Sequence, residues 1–286
     1  MNVSRKLFDL IRDKNLFQRL SAVLIGRSGL GRLLRIKIRI QDYYIIFHPT
    51  GICSAFWRNP NAYSEDYEFI HSFLKEGDIY IDIGANVGVT VIPGAKSIGE
   101  KGRAIAFEPH PTICSYLREN LELNGLMNVE IYNCALGNQQ GYIYFSNRFN
   151  DEVNKVSISS ENNLKVSIAL LDDIAKELDS VTLLKLDVEG YEKFVIEGAR
   201  ETLEKVKCIY FEVSENNFHN FGYKTEDVLT AIQQSGFGLF KRKDGKKEIV
   251  SIDSKYIPVS TVYENLIGIK DIEDFKNRTQ WQVSFK

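Results

Sequence analysis

The strongest constraint on this chain is a change of rhythm near Tyr80. From there, apolar runs of strand length alternate with stretches of helical periodicity. The runs are 78–83 (DIYIDI), 103–107 (RAIAF), 128–132 (NVEIY), 181–186 (VTLLKL) and 207–213 (KCIYFEV). Helical patterns occupy 112–123, 191–204 and 225–235, and Val89–Ser97 reads as a helix after the first run. Strands that are apolar on both sides need cover on both faces, and interleaved helices supply it. The expected fold class is therefore α/β, with a mostly parallel sheet. The last runs, 237–241, 247–252 and 262–269, have no helices between them, which predicts that the sheet closes with antiparallel strands.

The chain has 286 residues, 44% hydrophobic and 26% charged, which excludes wholesale disorder and fibrous repeats. Lys and Arg number 36 against 38 Asp and Glu, so a nucleic-acid partner is not expected. The charge is unevenly spread. Residues 1–40 hold ten basic side chains against Asp9 and Asp13, with Leu7, Phe8, Ile11, Phe17, Leu20 and Leu24 at helical spacing. Such a basic amphipathic arm suits a capping helix with a solvated basic face, with peripheral contact with an anionic membrane as the alternative. No apolar run is long enough to span a bilayer, and Asp9 and Asp13 interrupt any signal-peptide core. The four cysteines (Cys53, Cys114, Cys134, Cys208) form no C-x-x-C pair, so a reducing, cytoplasmic setting is expected.

Residues 35–48 alternate, break at Gln41-Asp42 and resume, which predicts a hairpin. The polar segment 146–163 reads as a surface loop inserted between the third and fourth strands. The expected organisation is an arm and hairpin cap at 1–75, a ligand-binding domain at 76–270 and a tail at 271–286.

Three constellations carry chemistry. In Asp82-Ile83-Gly84-Ala85-Asn86-Val87-Gly88, Gly84 permits a sharp turn and Gly88 a close approach of the helix start to a ligand. The spacing is not that of dinucleotide enzymes, and the Asp82 carboxylate at the strand tip suits an ammonium group better than a pyrophosphate. In Phe107-Glu108-Pro109-His110-Pro111, Glu108 lies 24 residues after Gly84, near the ~20 expected of an acid that holds ribose hydroxyls. A carboxylate can accept from both hydroxyls of a cis-diol. His110 is left on the loop, to flank an adenine ring or to remain solvated. In Lys185-Leu186-Asp187-Val188-Glu189-Gly190-Tyr191-Glu192, charged side chains gather at the carboxyl end of the fourth strand, where open α/β sheets bind ligands. Alternation puts Lys185 and Asp187 on one face. A helix-cap role for Asp187 accounts for only one acid of the set.

These elements, together with Ala135-Leu136-Gly137 and the 168–174 segment (IALLDDI), resemble the FkbM family of S-adenosylmethionine-dependent methyltransferases over about residues 65–270. The resemblance implies a Rossmann-like class I methyltransferase fold, with a seven-stranded mostly parallel sheet closing with an antiparallel strand. It implies transfer of a methyl group to an oxygen of a saccharide, glycolipid, polysaccharide or polyketide, with S-adenosylhomocysteine as product. By that resemblance Asp82 and the turn Gly84, Ala85, Asn86 and Gly88 would hold the methionine part. Glu108, with Pro109 and His110, would hold the ribose side, and Asn133, Cys134 and Ala135 would border the adenine. Asp187 would lie beside the cofactor.

An aliphatic hydroxyl needs a base within hydrogen-bonding reach, and Asp187, Glu189 and His219 are the candidates. Asp187, Glu212 and Asn216 or Asn217 at adjacent strand ends would suit a divalent cation, but the spacing is not that of a metal site and no metal is expected. The rival readings are an NAD(P)-dependent oxidoreductase and a noncatalytic S-adenosylmethionine-binding module. A nucleic-acid amino methyltransferase lacks its Pro-Pro-aromatic element here. Acceptor specificity is expected in 35–70, 146–163 and 214–224.

Overall fold

A computed structural model describes residues 22, 24–25, 29–146, 156–157, 163–243, 245–258 and 263–285. Most of the basic arm, and most of the predicted surface loop at 146–163, lie outside the described residues. After a single helical turn at Leu30–Leu33 come a hairpin, β1 (Lys37–Ile40) and β2 (Tyr43–Ile46), and two helices, α1 (Gly51–Arg58) and α2 (Ser64–Phe73). Then follow β3 (Ile79–Ile83), α3 (Val91–Ile98), β4 (Arg103–Phe107), α4 (Pro111–Leu123), β5 (Val129–Tyr132) and β6 (Ala135–Leu136). The insertion supplies β7 (Gly141–Ser146), β8 (Val156–Ser157) and β9 (Asn163–Ala169). The chain continues through α5 (Leu171–Ala175), β10 (Val181–Leu186), α6 (Glu192–Glu197), α7 (Arg200–Lys205), β11 (Val206–Val213), α8 (Glu215–His219) and α9 (Thr225–Gln234). It ends in β12 (Gly238–Arg242), β13 (Glu248–Ile252), β14 (Glu264–Ile269), α10 (Ile272–Thr279) and β15 (Gln282–Ser284).

The main sheet has the strand order β15-β13-β12-β14-β11-β10-β3-β4-β5. From β11 to β5 neighbouring strands are parallel, and β14 inserts antiparallel between β11 and β12. The doubly wound Rossmann-like sheet is thus as expected, with β13 and β15 extending it to nine strands. The order doubles back at β3, which lies between β4 and β10 at the centre. Crevices at the carboxyl ends of strands open at such a reversal. One apolar cluster covers each face: Tyr80, Leu183, Cys208 and Ile267 belong to one, and Ile81, Ile83, Leu184 and Phe211 to the other.

The segment expected as a tail, 271–286, is built into the domain over its described residues, 271–285. Phe275 and Trp281 are buried, Arg278 pairs with Asp78 at 2.7 Å, and β15 adds parallel to β13. Its sequence is mostly polar, so its few anchoring side chains carry the packing. The insertion forms a second sheet, β6-β9-β7-β8, around Phe145, Val166 and Ile168. Among the described residues no helix is long and apolar enough to cross a membrane.

The predicted hairpin is present, with Gln41 in the left-handed region at its turn (φ 47°). A two-stranded ribbon is marginal alone, and α4 supports it. Asn120 and Asn124 lie one helical turn apart and face the free edge of β2. The Asn120 Oδ1 accepts from Ile46 N–H (2.8 Å) and its Nδ2 donates to Val87 O (2.8 Å). Asn124 makes the same two-way contact with the backbone of Tyr44. Two amide side chains therefore replace the missing neighbour strand, and Asn120 also ties the hairpin to the turn after β3. Asn120 is fully buried. Asn120→Ala leaves a buried donor and acceptor without partners, so urea unfolding should show a loss of ~1–3 kcal/mol.

Candidate functional site

Register across the centre of the sheet aligns the chemistry. Lys185 pairs with Asp82 on one side and with Tyr210 on the other, and Glu212 pairs with Asn265. Residues in register share a face, and so do alternate residues along a strand. Asp82, Lys185, Tyr210, Glu212 and Asn265 consequently stand on one face of the sheet, with Asp187 continuing the line just beyond β10. This is the face that α2 and α3 cover. Their near ends, with the loops after β3, β4, β10 and β11, enclose a cavity of about 880 Å³.

Lys185 organises the floor. Its Nζ lies 3.1 Å from Asp187 Oδ2 and 3.6 Å from Asp82 Oδ1, and donates to Gly84 O at 3.1 Å. Burial opposes its charge, but Asp187 and Asp82 outweigh that and hold the ammonium protonated, above its ordinary range. Asp82 is fully buried and also accepts from Thr90 Oγ1 at 2.6 Å. Burial pushes the Asp82 carboxyl up, and Lys185 opposes this.

The turn after β3 matches its sequence signature, for partly different reasons. Gly84 has φ +83°, and a Cβ there would stand 1.8 Å from Asp187 O. Its need is close approach of two loops as well as a sharp turn. Gly88 has φ +105°, and a Cβ there would meet Ile92 and Leu117, so this glycine serves the apolar packing rather than a ligand. Asn86 takes the left-handed conformation without being glycine (φ 48°), and its Oδ1 accepts from Val87 N–H, the local bond that lets Asn tolerate it. Helix α3 begins at Val91 rather than Val89.

Glu108 is fixed from both sides. Its Oε2 accepts from Asn86 N–H (3.0 Å) and its Oε1 from His110 N–H (2.8 Å). Each carboxylate oxygen retains accepting capacity for a hydroxyl. The Asn133 Nδ2 bonds to Glu108 O and Pro109 O, so Asn133 braces this loop and does not line the cavity. Cys134 and Ala135 do line it, and burial pushes the Cys134 thiol up to about 11.

At the opposite end, Asp187, Glu189 and Glu212 bring carboxylate oxygens within 4.8 Å of one another. Asn216 and Asn217 line the cavity beside this group, and Asn217 Nδ2 donates to Glu189 Oε2 at 2.9 Å. Glu189 and Gly190 both have positive φ (55° and 102°), which turns the chain back on itself beyond β10. His219 ends α8 in an exposed position and is not part of the cavity wall. Of the expected site residues, Gly84, Ala85, Asn86, Glu108, Pro109, His110, Cys134, Ala135, Asp187 and Glu189 line the cavity. Asp82, Gly88, Asn133 and His219 do not.

Two features were not legible beforehand. Lys185 was placed on the Asp187 face by alternation, but its bridging of Asp82 to Asp187 depends on strand register. Asp66, Tyr210 and Asn265 also line the cavity, and an acid in a first helical turn or a Tyr in an apolar strand carries no sequence signal of such a role.

The acids beside the floor are held protonated. Burial, then the charges of Asp187 and Glu189, push Glu212 up to about 10. Burial also pushes Glu192 up to about 8, although its carboxylate accepts from Val188 N–H. In the unfolded chain both ionise near 4.5. Between that value and the folded ones, the folded chain holds more protons than the unfolded chain, so stability falls as pH rises. This stabilisation is complete below about pH 4.5 and is lost progressively through the Glu192 and then the Glu212 transition. Tm should therefore fall from about pH 5 to about pH 9, and Glu192→Gln, which mimics the protonated acid, should flatten the lower part of that slope.

Residues 82–239 match the Methyltransferase FkbM domain. A 2-O-methyltransferase, NoeI, of Sinorhizobium fredii is 27% identical over 210 residues, covering 66% of this chain and 81% of that protein. The hexuronic acid methyltransferase AglP of Haloferax volcanii is 26% identical over 141 residues, covering 49% of this chain and 57% of its own length. A solved methyltransferase from Pyrococcus furiosus aligns with 89% of this chain and 98% of its own, at 15% identity and a TM-score of 0.43. The matched stretch starts at the Asp82 that anchors Lys185 and contains both ends of the cavity floor. This chain is a methyltransferase and belongs to the FkbM methyltransferase family.

Proposed function

We propose that the chain uses S-adenosylmethionine to methylate a hydroxyl of a saccharide-type acceptor. The observation that carries this reading is a single cavity with a diol-accepting carboxylate at one end and a carboxylate cluster at the other. Glu108 is oriented by two backbone amides toward the space in front of β3 and β4. It would accept from the two ribose hydroxyls. His110, Cys134 and Ala135 would border the adenine. The methionine part would lie along Gly84, Ala85 and Asn86, over Lys185. Asp82, out of reach behind this turn, would act by anchoring Lys185.

When bound, S-adenosylmethionine supplies a methyl carbon open to in-line displacement. This chain's own residues align the acceptor oxygen with that carbon and take up the acceptor proton. Asp187 or Glu189 would accept the proton, with Lys185 and Asn217 orienting them. The activities for which NoeI and AglP are named, on a 2-oxygen and on a hexuronic acid, support an oxygen acceptor on a sugar. Residues 1–40 remain a candidate for peripheral membrane contact, which would suit a lipid-linked saccharide.

Calorimetry on ligand-free protein tests the cofactor. S-adenosylmethionine and S-adenosylhomocysteine should bind and NADH should not, and Glu108→Ala should weaken binding by about tenfold or more, consistent with lost charge-assisted hydrogen bonds. Flat titrations with both adenosyl compounds would reject the reading. Asp187→Asn should keep nucleoside binding and lower single-turnover methyl transfer by about a hundredfold. Unchanged turnover would leave Glu189 as the base.

A further inference from the structure

The wall of the cavity facing Lys185 comes from residues that precede the matched 82–239 stretch: Ile52 and Ala55 on α1, Ala62 and Tyr63 before α2, and Ser64 and Asp66 in its first turn. Asp66 is anchored there asymmetrically. Its Oδ1 accepts from Tyr210 Oη at 2.5 Å and from Asn265 Nδ2 at 3.0 Å, two donors projecting from adjacent strands of the covered face. Among the described residues none donates to Oδ2. Asp172, which joins α5 to α7, accepts on both oxygens: Oδ2 from Glu201 N–H and Oδ1 from Thr202 N–H and Oγ1. Asp66 instead has one oxygen pinned and one left over, on the lining of a cavity.

Burial pushes the Asp66 carboxyl up; the Tyr210 hydrogen bond and the charge of Lys185, which is not paired with it, oppose this, and Asp187 across the cavity adds like charge. Asp66 also stands outside the Asp187–Glu189–Glu212 group. The cavity thus holds two separate hydrogen-bond-accepting positions beyond the nucleoside end. A ligand with several hydroxyls can donate to both at once; one with a lone hydroxyl on an apolar body cannot.

Resting on the saccharide reading above, we infer that Asp66 is an acceptor-binding residue, whose Oδ2 receives a sugar hydroxyl other than the one methylated. Tyr210 and Asn265 are positioning residues that aim this oxygen. The small side chains Ala55 and Ala62 leave room for the sugar ring, and Tyr63 offers an apolar face beside it. Specificity for the acceptor therefore lies in the 52–66 wall, while the cofactor is held by the matched domain.

Asp66→Asn separates this role from a structural one. The amide oxygen still accepts from Tyr210 and Asn265, while an NH2 donor replaces the accepting Oδ2. The probes are methyl glycosides of hexoses and 6-deoxyhexoses, titrated by saturation-transfer NMR against protein loaded with S-adenosylhomocysteine. At least one glycoside should bind the wild-type chain, and Asp66→Asn should weaken it by about tenfold or more, as for sites built to bond a substrate hydroxyl. Tm and S-adenosylhomocysteine affinity should stay as in the wild type. Equal glycoside affinity in the variant overturns the assignment, as does a fall in Tm and nucleoside affinity that accounts for the loss. Binding of nucleoside but of no glycoside overturns the substrate class while leaving the cofactor reading intact. Failure of the nucleoside itself to bind overturns the reading beneath it.

Discussion

The Lys185 ammonium under the cavity is the interaction on which the site depends. One buried cation joins Asp82 at the end of β3, the backbone of the Gly84 turn and Asp187 beyond β10. A buried charge without partners would be strongly destabilising, and so would any one of these carboxylates without the cation. The partners therefore specify each other's positions, and with them the distance between the two loops that face a ligand. Gly84 permits the arrangement, because a side chain there would collide with the carbonyl of Asp187.

Around that cation the cavity is heavily acidic. Burial and mutual repulsion keep Glu212 and Glu192 protonated near neutrality, so the folded chain lowers the charge it must desolvate. The same property couples the stability of the domain to pH, since the energetic cost of ionising these acids falls on the folded state alone.

The N-terminal elements complete the cavity, and other segments hold them in place. Asn120 and Asn124 give the hairpin an edge partner on α4, and α2 is fastened at its start by Tyr210 and Asn265. At its other end α2 meets α10, with Phe73 and Phe275 rings 5.8 Å apart and Arg278 bonded to Phe73 O. The segment after 270, polar in sequence, thus supports the N-terminal wall of the cavity.

Periodicity determined the α/β class, the five strands β3, β4, β5, β10 and β11 and the antiparallel closing, because apolar runs and turns are local signals that burial on two faces enforces. Motif spacing determined which loops would meet: Gly84, Glu108, Asp187 and Glu189 all reach one cavity, since strand tips of a parallel sheet lie side by side. It could not tell which motif residues face the ligand. Asp82 and Asn133 are drawn away by Lys185 and by the carbonyls of Glu108 and Pro109, partners distant in sequence. His219 is turned to solvent by the short helix it ends. The anchoring of Asp66, the building-in of 272–284 and the joining of Lys185 to Asp82 arise from register and side-chain packing between elements far apart along the chain. Only the tertiary structure decides these, because contacts of that kind leave no local periodicity to read.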